Sequence, residues 1–131
     1  MSEAVLLDAN VLIALAENGP EHHEAARVWF VEHAGFATSP STQRSLVCFL
    51  VRVASVEHAL GALELLTDHP RHEFWPDALP YDADVLSGIT GHRQVTDAYL
   101  ARAAASRGSL VATFDAGLAA LRPDVVTLVP T

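Results

Sequence analysis

Two short apolar runs decide most of what this chain can become. AVLLD at residues 4–8 and SLVATFD at residues 109–115 each end in an aspartate, and each passes straight into a helical pattern. A continuous apolar run of this length reads as a strand buried on both faces, as in a parallel sheet. Between them the helical patterns come in series. NVLIALAEN predicts a short helix with Asn10 as N-cap, broken at Gly19-Pro20. EHHEAARVWFVEHAG has acids in its first turn and an apolar stripe at Ala26, Trp29 and Phe30, which predicts a second helix. FATSP reads as a strand stopped by Pro40. STQRSLVCFLVRVA, with Ser41 or Thr42 as N-cap, is apolar nearly all round and predicts a mostly buried helix.

The rest of the chain follows the same alternation. Ser55 caps VEHALGALELLTDH, a strand is expected around Glu73–Trp75, and DADVLSGITGH suggests a short helix. Thr96 caps DAYLARAAASRG, closed by Gly108; AGLAALRP is a helical turn and DVVTLVP a last strand. Strands alternating with helices give an α/β domain around a parallel sheet. At 131 residues, without repeats or linkers, the expectation is one domain spanning residues 1–131. In such sheets functional groups gather at the carboxyl ends of the strands, where Asp8 and Asp115 both fall.

Composition narrows the chemistry. No apolar run approaches the roughly 20 residues a membrane span needs. MSEAVLLDAN carries no basic segment before its apolar stretch, so no secretory signal is expected. The single cysteine, Cys48, excludes an internal disulfide framework, fits a reducing cytoplasm, and reads as a buried small hydrophobe rather than a nucleophile. The net charge is −8, and all eight basic residues are arginines. That argues against binding RNA over a broad surface. It leaves open an acidic cleft whose cation meets a phosphate.

Taken singly, each acid has a structural explanation. Asp97 stands in a first helical turn, where it suits the macrodipole, and Asp8 and Asp115 stand at strand-to-helix junctions, where aspartate caps. Together, three acids at one rim would repel unless a cation or a proton sits between them. All-oxygen ligation with several waters suits Mg²⁺ or Mn²⁺, and such a site can generate a nucleophilic hydroxide and stabilise charge on a phosphoryl oxygen. It is too poor in histidine for zinc: His22 and His23 are adjacent, His69 and His72 lie across Pro70, and all read as solvated.

LLDANVLIAL, TSPSTQRSLVCFL, GHRQVTDAYLARAA and LVATFDAGLAAL together resemble a PIN-domain ribonuclease, and more narrowly the VapC-type toxin of VapBC toxin–antitoxin pairs. The pieces occur in family order over nearly the whole chain. The resemblance implies a three-layer α/β/α sandwich around a small parallel sheet and an Mg²⁺- or Mn²⁺-dependent endoribonuclease. It implies a cognate VapB-type antitoxin threading into the active-site groove, and commonly a homodimer. Asp8, Asp97 and Asp115 take the place of the family's catalytic metal ligands. Asn10, Thr96 and Thr113 stand where the family has polar helpers. Gln43 stands where the family usually has a glutamate; its carbonyl can still meet a cation or its water, but it carries no charge. Glu17, Asp82 or Asp84 are possible substitutes for that charge. Arg44 and Arg93, close in sequence to the expected site, are candidates for phosphate contacts.

Two other acid-based enzymes fit less well. A haloacid-dehalogenase-type phosphatase needs a second aspartate where this chain has Asn10, and a receiver domain needs a lysine where this chain has none. A different class remains: a catalytically weak PIN domain that binds its antitoxin and regulates its operon, motivated by Gln43. The stripe Val56, Leu60, Leu63 and Leu66 can pack in the core or across subunits, with the core the first expectation.

Overall fold

The computed structural model describes residues 3–17 and 22–131, so the expected break at Gly19-Pro20 lies outside the described residues. Five strands form one sheet: β1 (Ala4–Leu7), β2 (Gly35–Thr38), β3 (His72–Phe74), β4 (Val111–Thr113) and β5 (Val126–Leu128). Their order is β3-β2-β1-β4-β5 and every pairing is parallel. The connections run through α1 (Ala9–Ala16), α2 (His23–Glu32), α3 (Pro40–Val53), α4 (Val56–Thr67), α5 (Val95–Ser106) and α6 (Ala116–Leu121).

The period of two along each strand builds the layers. Leu6 pairs in register with Ala37 and Val111, and this set packs against Leu100 and Ala104 of α5 and against Trp75. Leu7 pairs with Ala112 and turns the other way, onto Val11 and Leu12 of α1, Trp29 of α2, and Leu46 and Leu50 of α3. The strands are apolar throughout because both faces are covered, giving the expected α/β/α sandwich.

β1 is the central strand. After it the chain leaves toward β2 and β3; after β4 it leaves the opposite way, toward β5. Divergence of two connections opens a crevice at the carboxyl ends of β1 and β4. Asp8 and Asp115 stand on its two sides.

Several local expectations shift. Asp8, not Asn10, caps α1: its Oδ1 accepts from the Ala9 amide at 2.7 Å. Ser39, not Ser41 or Thr42, caps α3, and Thr42 returns a bond from the Ser39 amide at 2.9 Å. Pro40 thus opens the helix, where its missing N–H costs nothing, rather than merely stopping the strand. A 3₁₀ turn at His92–Gln94 leads into α5, so Gln94 holds the N-cap position and Thr96 lies inside the first turn. Residues 82–88 form turns rather than a helix. Asp82 takes the Val85 amide at 3.0 Å, Gly88 turns with φ +78, and Arg122 draws off the carbonyls of Val85 and Ser87.

The helix α3 is also less buried than its composition suggests. Only Thr42, Leu46 and Leu50, about one residue per turn, are fully buried, with Val47 and Phe49 partly buried against the core. Cys48 sits roughly opposite them and is exposed, correcting its expected burial. On α4 only Ala59 is fully buried, while Val56 and Leu60 are 62% and 53% exposed, so half of the expected core stripe faces outward.

Candidate active site

Asp8 ends the central strand and is 8% exposed. Its Oδ2 accepts a hydrogen bond from Thr113 Oγ1 at 2.7 Å, while Oδ1 serves the Ala9 amide. Thr113 is fully buried at the end of β4. Its oxygen also accepts from Asn10 Nδ2 at 3.2 Å and from the Asp115 amide at 3.0 Å. Asn10 Oδ1 in turn takes the Phe114 amide at 3.4 Å. One hydroxyl therefore ties the ends of β1 and β4 together. Its donor and both its acceptor positions are occupied.

Asp115 caps α6, with Oδ1 accepting from the amides of Gly117 at 2.8 Å and Leu118 at 3.3 Å. Its other oxygen has no partner among the described residues, and the residue is exposed. Asp97 comes from α5, the helix that covers the Leu6 face of the sheet. Its carboxylate is half-buried and accepts no hydrogen bond among the described residues.

The three carboxylates act on one another. Burial first, then the charges of Asp8 and Asp115, together push Asp97 up to about 6. Burial also raises Asp8, opposed by its bonds from Thr113 and Ala9 and reinforced by the charge of Asp115. At Asp97 every cause disfavours the anion, and no arginine among the described residues offsets it. Among the described residues no three His, Cys, Asp or Glu side chains already enclose an ion-sized space.

Gln43 is held at the end of β2 through its amide nitrogen. Its Nε2 donates to Thr38 Oγ1 at 2.9 Å, and that hydroxyl meets His72 Nε2 at 2.7 Å. The other ring nitrogen of His72 is bonded to the Thr67 backbone, and burial holds the imidazole below its ordinary value. A neutral ring donating to the Thr67 carbonyl has an acceptor at Nε2, so Thr38 must donate to it. The same hydroxyl can then only accept from Gln43. Tautomer and amide orientation are fixed by one chain of bonds at the end of β2, one strand away from Asp8.

The suggested substitutes for the missing charge are engaged elsewhere or turned away. Glu17 accepts from His58 Nε2 at 2.8 Å, Asp82 caps its own turn, and Asp84 lies beside Arg102 and Arg122 on another part of the surface. Arg44 and Arg93 are exposed and have no carboxylate partner among the described residues. Arg44 shares a pocket with Thr96, the neighbour of Asp97; Thr96 makes no side-chain hydrogen bond there. The histidines are less solvated than expected: His23 bonds the Ala14 carbonyl at 2.6 Å, His22 stacks on Phe114, and His69 packs against Phe30 and Phe36. Sequence reasoning missed Thr38 and His72 as partners of Gln43. No local signal connects positions 34 residues apart.

Comparison with known proteins gives a consistent set of likenesses. The family model described as PIN domain matches residues 5–122. Ribonuclease VapC29 of Mycobacterium tuberculosis (strain ATCC 25618 / H37Rv) is 51% identical over 132 residues, covering 97% of this chain and 97% of that protein. Ribonuclease VapC39 of the same strain is 38% identical over 125 residues, covering 87% and 90%. Among solved structures, M. tuberculosis VapC20, described as a Sarcin-Ricin loop cleaving toxin, superposes with TM-score 0.74 at 18% identity, covering 97% of this chain and 100% of that one. Rickettsia felis VapBC2, bound to a DNA fragment from its promoter, superposes with TM-score 0.65 at 13% identity over 95% and 98%. These two structures speak to the shared fold.

Proposed function

This chain belongs to the PIN-domain family, and within it to the VapC ribonucleases, and from that premise we propose that it is a metal-dependent endoribonuclease toxin neutralised by a cognate VapB-type antitoxin. It acts as a single domain in the cytoplasm, where RNA and antitoxin are made.

Asp97 is the observation that carries the metal reading. A half-buried carboxylate between two others, with no donor from the protein, is a poor arrangement for the chain alone. A divalent cation turns each of those costs into an attraction. The donors are all hard oxygens, which fits Mg²⁺ or Mn²⁺ with waters completing the shell. In this reading Asp8, Asp97 and Asp115 hold the ion. When bound, it supplies Lewis-acid stabilisation of a phosphoryl oxygen and acidifies a water.

The protein's own part is positional. Thr113 holds Asp8 in one rotamer and, through the Asp115 amide, sets the distance between the two sides of the crevice. Asn10 braces Thr113 and the Phe114 backbone. Outer partners of this kind orient ligating carboxylates. Gln43 supports the rim through Thr38, and its unused carbonyl oxygen is the only part left to face a cation's water. Thr96 lines the approach. Arg44 and Arg93, free of carboxylates, are suited to phosphates flanking the cut. Exposed Val56, Leu60 and Leu65 on α4 support a homodimer, which light scattering at micromolar concentration would detect. The binding-only alternative draws on the missing charge at Gln43 and on the absence, among the described residues, of three His, Cys, Asp or Glu side chains already placed to hold an ion.

Calorimetric titration with Mn²⁺, on antitoxin-free wild type and Asp97→Asn, tests the reading alongside RNA cleavage assays. Binding and cleavage that are both lost in the variant are the expected result. Unchanged cleavage by Asp97→Asn in saturating Mn²⁺ would overturn it.

A further inference from the structure

A second feature lies between the starts of α3 and α5. A pocket of about 330 Å³ is walled by the start of α3 (Pro40, Ser41, Arg44), by Asp77 and Tyr81 from the loop after β3, and by Thr96. Its size is within the ordinary range of small-ligand sites. Thr96 and Asp97 share the first turn of α5, so the pocket opens at the start of the helix that carries Asp97.

The loop that forms one wall is built to hold a ring in place. Tyr99 of α5 is 4% exposed, and its hydroxyl both donates to the Leu79 carbonyl at 3.0 Å and accepts from the Leu79 amide at 3.1 Å. Pro80 fixes the next backbone torsion. Tyr81 then lies over Tyr99, ring centroids 4.9 Å apart and planes 31° from parallel. On the far side of the pocket, Asp77 Oδ2 accepts from the Ser41 amide at 3.0 Å and from Ser41 Oγ at 2.7 Å, which fastens the loop to α3. Tyr81 is nevertheless 55% exposed. One face of the ring rests on Tyr99, whose own hydroxyl is held by the Leu79 backbone, and the ring lines the pocket. The nearby cation, Arg44, has no carboxylate partner, and the α3 amide that might have met an anion is already taken by Asp77.

We propose that this pocket is a subsite for an unpaired RNA base next to the cleaved phosphodiester, with Tyr81 as the stacking platform and Arg44 as the contact to the adjoining phosphate. The proposal rests on the ribonuclease reading and names how the substrate strand is gripped. A planar π-face and a cation side by side are what single-stranded RNA recognition uses. A stack of this kind tolerates many sequences but excludes a paired base. It therefore confines cleavage to loops and single strands, and allows a chain of net charge −8 to hold RNA through one local grip.

The test uses a 12-nucleotide single-stranded oligoribonucleotide of mixed sequence with a 5′ fluorescein, titrated by anisotropy in EDTA. Variants are Tyr81→Phe, Tyr81→Leu and Arg44→Gln. Phenylalanine keeps a flat ring, whereas leucine keeps apolar cover over Tyr99 without one. Expected are binding within about threefold of wild type for Tyr81→Phe, and a loss of about tenfold or more for Tyr81→Leu. The melting temperature of Tyr81→Leu should stay near wild type, and Arg44→Gln should weaken binding and flatten its salt dependence. Wild-type affinity in Tyr81→Leu, or no binding of the oligonucleotide by wild type, overturns the subsite. So does a loss in Tyr81→Leu confined to antitoxin binding. Mn²⁺ titration and cleavage of total RNA by wild type report separately on the nuclease reading. Cleavage by wild type with normal binding by Tyr81→Leu removes the subsite alone.

Discussion

β1 and β4 end alike, each in an aspartate that caps the next helix, yet the two aspartates live in different surroundings. Asp8 has both oxygens bonded within the protein and is almost sealed from water. Asp115 gives one oxygen to two amides of α6 and leaves the other to solvent. The difference comes from sheet position and from the Thr113 hydroxyl. The central strand delivers Asp8 into the crevice beneath Thr113, whereas Asp115 follows Thr113 and stands above it. One local pattern thus yields a fixed anchor and an accessible arm. A cation site with water and substrate in its shell needs both.

Several measurements would break or sharpen that contrast. The largest effect is on catalysis, where the two ends should behave alike. Asp8→Asn, Asp115→Asn and Asp97→Asn should each lower Mn²⁺-dependent cleavage of a fluorogenic RNA by two orders of magnitude or more, beyond the roughly 10–100-fold cost of an outer-shell change. If Asp115→Asn kept a tenth of the activity, Asp115 would be a cap and nothing more. Thr113→Val, nearly isosteric, should cost roughly 10–100-fold in Mn²⁺ affinity, because it removes the hydroxyl that bonds both the Asp8 carboxylate and the Asp115 amide.

On stability the two ends should part. In Asp8→Asn either amide orientation sets an N–H against a donor, Thr113 or the Ala9 amide, since the acceptor sites of Thr113 are already filled. Urea denaturation should show a loss of about 1–3 kcal/mol. Asp115→Asn keeps a good capping oxygen and should stay within roughly 0.5 kcal/mol of wild type. Equal losses would mean that their different depths carry no energetic weight.

The smallest effect is on pH. Asp97 has a folded pKa of about 6, raised chiefly by burial and then by Asp8 and Asp115, above its ordinary 3.8. Between those values the metal-free folded state binds more protons than the unfolded one, so this group's contribution to stability rises as pH falls from 7 toward 4. Because the group is half-exposed, the gain is about 1 kcal/mol after discounting for solvent. Wild type compared with Asp97→Asn isolates it from His72, which burial shifts down and which works in the opposite direction. The melting temperature of wild type should gain on that of the variant as pH drops, and saturating Mn²⁺ should abolish the trend. A difference independent of pH would mean that Asp97 is not under electrostatic pressure.

The parts of the molecule that were legible in sequence were those decided locally. Apolar runs ending at Asp8 and Asp115 fixed two strands and the rim that they share, and Gly108, at φ +66, closes α5 as expected. The caps moved by two or three residues because several good capping residues lie together: Ser39 precedes Ser41 and Thr42, and Asp8 precedes Asn10. Burial of α3 was misjudged because composition counts apolar residues and cannot say which turn of the helix meets a neighbour. The turns at 82–88 depend on Arg122, more than thirty residues away in the chain. The partners of Gln43, and the pinning of Tyr81 by Tyr99, are likewise tertiary facts with no local trace.

The bond from Thr113 to Asp8 spans 105 positions in sequence. On a ribosome adding about 5–20 residues per second, the anchor waits roughly 5–20 s for its bracing hydroxyl and for the second arm. During that interval β1 also lacks β4, one of its two neighbours in the sheet. The proposed metal site is therefore assembled late in synthesis, and fragments of the chain that stop short of β4 carry Asp8 and Asp97 without the crevice between β1 and β4.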